Sequence, residues 1–156
     1  MKVGVIGGGQ LARMMIPEAI ALGVELRVFA EAEGMSAENS TTVVGDYKNA
    51  EELGWFADGV DVITFDHEHV PLATLEQVER SGSSVQPSSS ALQFAQNKLW
   101  MRKRLSDAGL PMPAWSEVRT SAELEKFMVE HGGKVIVKTP VGGYDGKGVR
   151  VIDDSS

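Results

Sequence analysis

The sequence predicts an α/β protein, with a doubly wound parallel sheet over its first 87 residues and the opening of a second unit after them. Three observations carry this. Short β-branched runs alternate with segments of helical apolar spacing, the pattern of a parallel sheet covered on both faces. A glycine turn, Gly7-Gly8-Gly9, joins the first such run directly to the first helical segment. After Pro87 three serines in a row mark a junction, and the rest of the chain reads as helices and one β-hairpin.

Lys2–Ile6 is the first strand. Leu11, Met14, Met15 and Ala19 then recur at helical spacing. Gly23 ends that helix, and Pro17 inside it is expected to kink or restart it. Glu25–Ala30 is the second strand, 31–41 is polar and irregular, and 42–44 is a third short strand. A helix over 49–57 takes Asn49 as its cap. Val62, Ile63 and Phe65 make 61–65 a strongly apolar strand. Pro71 opens a helix that reaches Arg80. The last strand, 84–86, is stopped by Pro87. One helix is expected over 91–108, closed by Gly109, and the turn through Leu110, Pro111 and Pro113 breaks the chain. Ser121–Glu130 is a short helix with Ser121 as cap and Leu124, Phe127 and Met128 on one face. Strands over 134–138 and Val149–Ile152 flank a long loop. The expected division is a domain over 1–87, a linker helix over 88–108 and the start of a second domain over 109–156. A few helices and one hairpin cannot bury a good core alone, so the chain is expected to be a piece of a longer protein.

The 156 residues are 42% hydrophobic and 24% charged, the balance of a soluble globular protein. No run of about 18 apolar residues exists, so no membrane span is expected. The apolar start before Gly7 is too short for a signal peptide, and the cytoplasm is the expected location. With no cysteine, disulfides, thiolate metal sites and cysteine nucleophiles are excluded. The net charge of −7 is uneven: residues 1–90 carry 5 Lys and Arg against 14 Asp and Glu, and residues 91–156 carry 10 against 8. The acidic first part argues against a nucleic-acid partner. The basic remainder either serves solubility or faces an anion.

Two glycine loops stand out. Gly7-Gly8-Gly9-Gln10-Leu11-Ala12 fits G-x-G-x-x-[GA] between a strand and a helix, and Glu31 stands 22 residues after Gly9 at the end of the second strand. That is the context of a dinucleotide site, with Glu31 placed for a ribose hydroxyl. The same turn would also serve another anion at a helix N-terminus, or no ligand at all. The second loop, Lys138-Thr139-Pro140-Val141-Gly142-Gly143-Tyr144-Asp145-Gly146-Lys147-Gly148, holds four glycines in residues 142–148. It is not a Walker A loop, because Lys147 is followed by Gly148 and a strand rather than by Ser or Thr and a helix. A plain hairpin needs one or two glycines, so the excess suggests a flap whose N–H groups cover phosphates. Lys138 would reach an α- or β-phosphate, and Lys147 would neutralise a terminal one. The alternative is a surface hairpin with two solvated lysines.

Other residues carry weaker signals. His67 and His69 flank Glu68 and share one face of an extended segment, which suits a metal pair, the lining of a substrate site or plain surface. Trp55, Trp100 and Trp115 read as packing residues. Arg102, Lys103 and Arg104 read as a solvated helix face.

The second loop resembles the phosphate flap of the ATP-grasp enzymes. Its run Gly142-Gly143-Tyr144-Asp145-Gly146-Lys147-Gly148 is similar to that of the N5-carboxyaminoimidazole ribonucleotide synthetase family. Other segments agree in order along the whole chain. Gly7-Gly8-Gly9-Gln10-Leu11-Ala12-Arg13-Met14 resembles the family's G-x-G-Q-L-[GA]-R-M, and Gly45-Asp46-Tyr47 its segment after the third strand. Thr64-Phe65-Asp66-His67-Glu68-His69-Val70-Pro71 is similar to T-[FY]-E-x-E-x-V-P. Pro87-Ser88, Ala91-Leu92 and Gln96-Asn97-Lys98 resemble P-S…A-L…Q-[DN]-[KR], and Gly109-Leu110-Pro111-Met112-Pro113 resembles G-[LI]-P-x-[PA]. The family usually has Glu where this sequence has Asp66 and Gln where it has Val149, and Pro17 is unusual in its first helix.

The resemblance implies a Rossmann-like pre-ATP-grasp domain followed by the first, incomplete part of an ATP-grasp domain. It implies an ATP-dependent carbon–nitrogen ligase of de novo purine biosynthesis. Such a ligase carboxylates 5-aminoimidazole ribonucleotide with bicarbonate and releases ADP and phosphate. It places ATP on Lys98, Lys138, Gly143, Tyr144, Asp145, Gly146, Lys147, Gly148 and Val149. It places the ribonucleotide near Gly9, Gln10, Leu11 and Glu68, so that the turn faces that substrate, with its phosphate as one group it could meet. No Mg2+ ligand is expected within the chain; the catalytic groups, the acidic Mg2+ ligands and the basic residues that bind bicarbonate and the substrate phosphate are expected beyond residue 156. The piece alone is therefore expected to be inactive, and the family suggests a homodimer. One alternative is an NAD(P)-dependent oxidoreductase built on Gly7, Gly9, Ala12 and Glu31, which leaves Lys98, Lys138 and the second loop without a purpose. Others are the formate-using glycinamide ribonucleotide enzyme of the same superfamily and a noncatalytic nucleotide-binding module.

Overall fold

The computed structural model describes residues 1–143 and 147–153, which fall into two compact units, Met1–Leu92 and Gln93–Ser156. In the first unit, β1 (Lys2–Ile6), β2 (Glu25–Ala30), β3 (Thr41–Val44) and β4 (Val62–Phe65) form one sheet in the order β3-β2-β1-β4. All its pairings are parallel, as alternation with helices requires. The helices between are α1 (Gln10–Ala21), α2 (Ala50–Asp58) and α3 (Leu72–Arg80), with a 3-10 turn at Glu38–Ser40. Two hydrophobic clusters result. Phe29, Ile6, Ile63, Leu53, Leu75 and Val78 belong to the larger, and Val5, Val28, Ala12, Ala30 and Ala37 to the smaller. Phe29 and Ile6 are fully buried, each worth roughly 1.5–3 kcal/mol of apolar transfer.

Several expectations change in this unit. The strand expected at 84–86 is a single parallel bridge, Ile63 to Val85, with Ile63 N–H on Ser84 O and Gln86 N–H on Ile63 O, both at 2.8 Å. The cis peptide bond before Pro87 comes directly after it. α1 runs through Pro17 without interruption. The bond Pro17 forgoes is to the Arg13 carbonyl, and both residues are exposed, where water replaces it. Asn49 caps α2 as expected, accepting from Glu51 N–H. Trp55 is 67% exposed rather than packed.

The division between units falls inside α4 (Ser89–Gln96), which precedes α5 (Lys98–Asp107). The single helix expected over 91–108 is thus broken at Asn97. Its backbone is extended there, φ −124° and ψ 109°, and its side chain accepts from Leu99 and Trp100 N–H to start α5 anew. A helix has free N–H donors only at its start, and the short Asn side chain reaches them there, so Asn caps better than it continues. The second unit also holds α6 (Ser121–Glu130), β5 (Val135–Lys138) and β6 (Val149–Ile152). Thr120, not Ser121, caps α6, in a capping box with Glu123. β5 and β6 pair antiparallel with Lys138 opposite Val149. Met128 and Val135 are the unit's buried apolar residues among those described, while Trp100 is 50% exposed.

Candidate functional site

In the first unit the strand order brings three connections together. β1 lies between β2 and β4. The residues just after β2 and β4 therefore stand on either side of the turn after β1, at the carboxyl ends where open α/β sheets bind ligands. Glu31 Oε2 accepts from Gly8 N–H at 3.0 Å, and Asp66 Oδ2 accepts from Gly9 N–H at 2.8 Å. Gly7 has φ +107°, and a Cβ there would lie 1.7 Å from Asp66 Oδ1, so only glycine admits the Asp66 carboxylate. The Asp66 side chain is 4% exposed. Its Oδ1 is buried with no hydrogen-bond partner among the described residues.

His67 lies between the carboxylates. Its Nε2 is 2.9 Å from Glu31 Oε1 and 3.9 Å from Asp66 Oδ1, so it bonds the first and not the second. Its Nδ1 accepts from His69 N–H at 3.1 Å. That contact assigns the proton to Nε2, which donates to Glu31. Burial raises the Glu31 carboxyl, but the Gly8 N–H, its own N–H and His67 outweigh it and hold the group below its ordinary value. Tyr47 packs its ring 5.1 Å from that of His67. Burial, then the charges of Glu31 and Asp46, push its phenol up. With both ring nitrogens engaged, His67 is not half of a metal pair. Among the described residues no group of three or more His, Asp or Glu side chains could hold a metal ion.

This geometry corrects the dinucleotide reading. The sequence sets Glu31 toward a ribose hydroxyl, but its carboxylate is bonded to the turn itself and to His67. The N–H groups of Gly8 and Gly9 carry carboxylates where a pyrophosphate would need open donors. Of the residues expected at the ribonucleotide, Gly9 lies in this cluster, Gln10 and Leu11 open α1 with exposed side chains, and Glu68 is half-buried beside His67. Asp66 and Tyr47 are absent from the site that the sequence predicts, whereas His67, read there as one of a metal pair, as site lining or as surface, belongs to the cluster through Glu31. The signal that finds them is strand adjacency, which periodicity does not reveal.

In the second unit the hairpin is anchored at its base. Thr139 N–H donates to Gly148 O at 2.9 Å. Gly148 has φ +77°, and a Cβ there would lie 2.6 Å from Thr139 Oγ1. The start of α5 runs alongside: Asn97 bridges Val141 antiparallel, and Lys98 N–H donates to Pro140 O at 2.8 Å. Lys98 Nζ donates to Gly142 O at 2.7 Å. Lys98 and the loop that begins at Lys138 are thus joined across 44 residues of sequence. An ammonium has three donors, and among the described residues no carboxylate pairs with Lys98. Lys138, Gly143, Lys147, Gly148 and Val149 lie on the same hairpin, with Lys138 and Lys147 exposed. Tyr144, Asp145 and Gly146 lie outside the described residues.

Residues 1–96 match the family described as "Ribonucleotide synthetase preATP-grasp domain", and residues 103–156 match "ATP-grasp domain". The chain is 43% identical over 154 residues to the N5-carboxyaminoimidazole ribonucleotide synthase of Mycobacterium tuberculosis (strain ATCC 25618 / H37Rv), covering 97% of this chain and 36% of the relative. It is 33% identical to the synthase of that name from Pseudomonas aeruginosa, covering 97% of this chain and 42% of the relative. Among solved structures, the N5-carboxyaminoimidazole synthetase from Staphylococcus aureus complexed with ADP superposes with a TM-score of 0.88 at 28% identity, over 98% of this chain and 41% of that one. The synthase from Aspergillus clavatus in complex with ADP and 5-aminoimidazole ribonucleotide gives 0.84 at 31%, over 98% of this chain and 40% of that one. The chain spans about two fifths of the length of these relatives.

Proposed function

The chain belongs to the ribonucleotide synthetase pre-ATP-grasp family, and from that premise we propose that it is the N-terminal part of an ATP-grasp ligase acting on 5-aminoimidazole ribonucleotide. The complete reaction joins the ribonucleotide amine to bicarbonate, with ATP converted to ADP and phosphate, in purine biosynthesis. One observation within this chain carries the nucleotide half. Lys98, remote in sequence, is bonded at Gly142 O to the glycine hairpin that Lys138 opens. A cation bonded to a glycine-rich hairpin that carries a second cation is what a polyphosphate needs.

When bound, ATP supplies the phosphoryl group that activates bicarbonate. The chain's own residues hold and neutralise it. Lys98 keeps donors beyond the one on Gly142 O, and Lys138 and Lys147 extend from the hairpin. Gly143, Tyr144, Asp145, Gly146, Gly148 and Val149 complete the nucleotide set in this reading. Gly9, Gln10, Leu11 and Glu68 border the ribonucleotide. Mg2+ and bicarbonate ligands belong to the part of the relatives' length that this chain does not span, and so do the catalytic groups. The reading extends to a cytoplasmic homodimer. No helix among the described residues is long and apolar enough to cross a membrane.

Calorimetric titration of the chain with ATP and with NADH tests this. ATP is expected to bind, and Lys98→Ala and Lys138→Ala are each expected to weaken it about tenfold or more, the worth of one charge-assisted hydrogen bond. NADH is expected not to bind. NADH binding that Glu31→Ala abolishes, with no ATP binding, would overturn the reading.

A further inference from the structure

The donors of the glycine turn are occupied by the protein itself. Glu31 holds Gly8 N–H and Asp66 holds Gly9 N–H. In a phosphate-binding turn these groups point at ligand oxygens. The arrangement is rigid on the Glu31 side. Its second oxygen takes the His67 Nε2 proton at 2.9 Å, and His67 is fixed in turn by His69 N–H at 3.1 Å and by the Tyr47 ring. To leave Gly8, Glu31 must also leave His67 or turn about it. Among the described residues no Lys or Arg pairs with Glu31 or Asp66, so their charge is not cancelled. Asp66 adds a buried oxygen with no hydrogen-bond partner among those residues.

We propose that Glu31 is the specificity-determining residue of this turn. It fills the Gly8 donor and, with Asp66, supplies the N-terminus of α1 with negative charge in advance. A ligand therefore meets the turn through hydrogen-bond donors, and a phosphate is kept out. The electrostatics have the sign this needs: the positive end of α1 is already complemented by carboxylates, and an incoming phosphate would meet like charge in a partly buried setting. The exclusion stands on the turn's geometry alone.

The test monitors the Gly8 and Gly9 amide resonances of the 156-residue chain during titration with inorganic pyrophosphate at neutral pH. The wild type is expected to show no saturable shift up to about 10 mM, and Glu31→Ala is expected to bind at least about tenfold more tightly than the wild type. Glu31→Gln keeps an acceptor but loses the charge, and falls between them. His67→Phe leaves the carboxylate but removes its clamp, and gains less than Glu31→Ala. Pyrophosphate that shifts wild-type Gly8 and Gly9 with the affinity seen in Glu31→Ala would overturn the proposal, whether or not any variant is perturbed. So would a folded Glu31→Ala with no gain, or a His67→Phe gain equal to it. Pyrophosphate reads the turn whatever the chain's substrate, so failure here and failure of the ATP titration are separate results.

Discussion

Gly7 and Glu31 show how much of this molecule is decided by single backbone and carboxylate positions. A Cβ on Gly7 would fall 1.7 Å from Asp66 Oδ1, at a φ of +107° that side chains rarely adopt. Gly7→Ala is expected to cost about 3 kcal/mol in urea unfolding, from strain and displacement of a buried carboxylate. A loss below about 0.5 kcal/mol, the level of an ordinary surface substitution, would show that the turn relaxes freely. Glu31 makes a pH prediction. Its folded carboxyl lies below the ordinary value of 4.5, because backbone N–H groups and His67 outweigh burial. A lowered folded value means stability that is present above the unfolded value and lost as pH falls through the folded one. Glu31→Gln is therefore expected to be less stable than wild type at neutral pH, with the gap closing below about pH 4.5. A gap that holds or widens in acid would contradict this. The sequence places Glu31 at the end of a strand and offers it a sugar. Only the three-dimensional neighbour, Gly8 N–H, shows that the carboxylate is already engaged.

Elements carry the next set of consequences. Asn97 both starts α5 and pairs with Val141, so the helix cap and the hairpin base are one feature. Asn97→Ala is expected to cost about 1 kcal/mol, the usual worth of an N-cap. It is also expected to speed hydrogen exchange at Lys98 N–H, whose acceptor is Pro140 O. Unchanged exchange at that amide would separate cap from hairpin. At Gly148, a Cβ 2.6 Å from Thr139 Oγ1 would push the two strands apart at the loop base. Gly148→Ala is expected to weaken ATP binding about tenfold while moving the thermal midpoint by only a few degrees. The break at Asn97 was not legible, because helical spacing continues across it; Asn49, which stands at the start of its periodic run, was legible as a cap. Thr120 is different: Thr120 and Glu123 carry the spacing of a capping box, a signal in the sequence that the choice of Ser121 passed over.

Across the whole molecule, the alternation of strands and helices was enough to predict a parallel sheet, because short β-branched runs must be buried on both faces. It did not predict the order β3-β2-β1-β4, since periodicity assigns faces and not neighbours. That order is what sets Glu31 and Asp66 on either side of the glycine turn. The hairpin was legible from its glycine excess, whereas Lys98 was named by resemblance alone, and its bond to Gly142 O spans a separation that no local pattern encodes. The proposed function makes these residues the N-terminal part of a carboxylating ATP-grasp ligase. It is tested most directly by joining residues 1–156 in register to the remaining part of the Mycobacterium tuberculosis relative and measuring ADP release. Release is expected to require both 5-aminoimidazole ribonucleotide and bicarbonate and to be lost in Lys138→Ala. A folded chimera that releases no ADP, or releases it without regard to bicarbonate, would show that these residues do not serve that reaction.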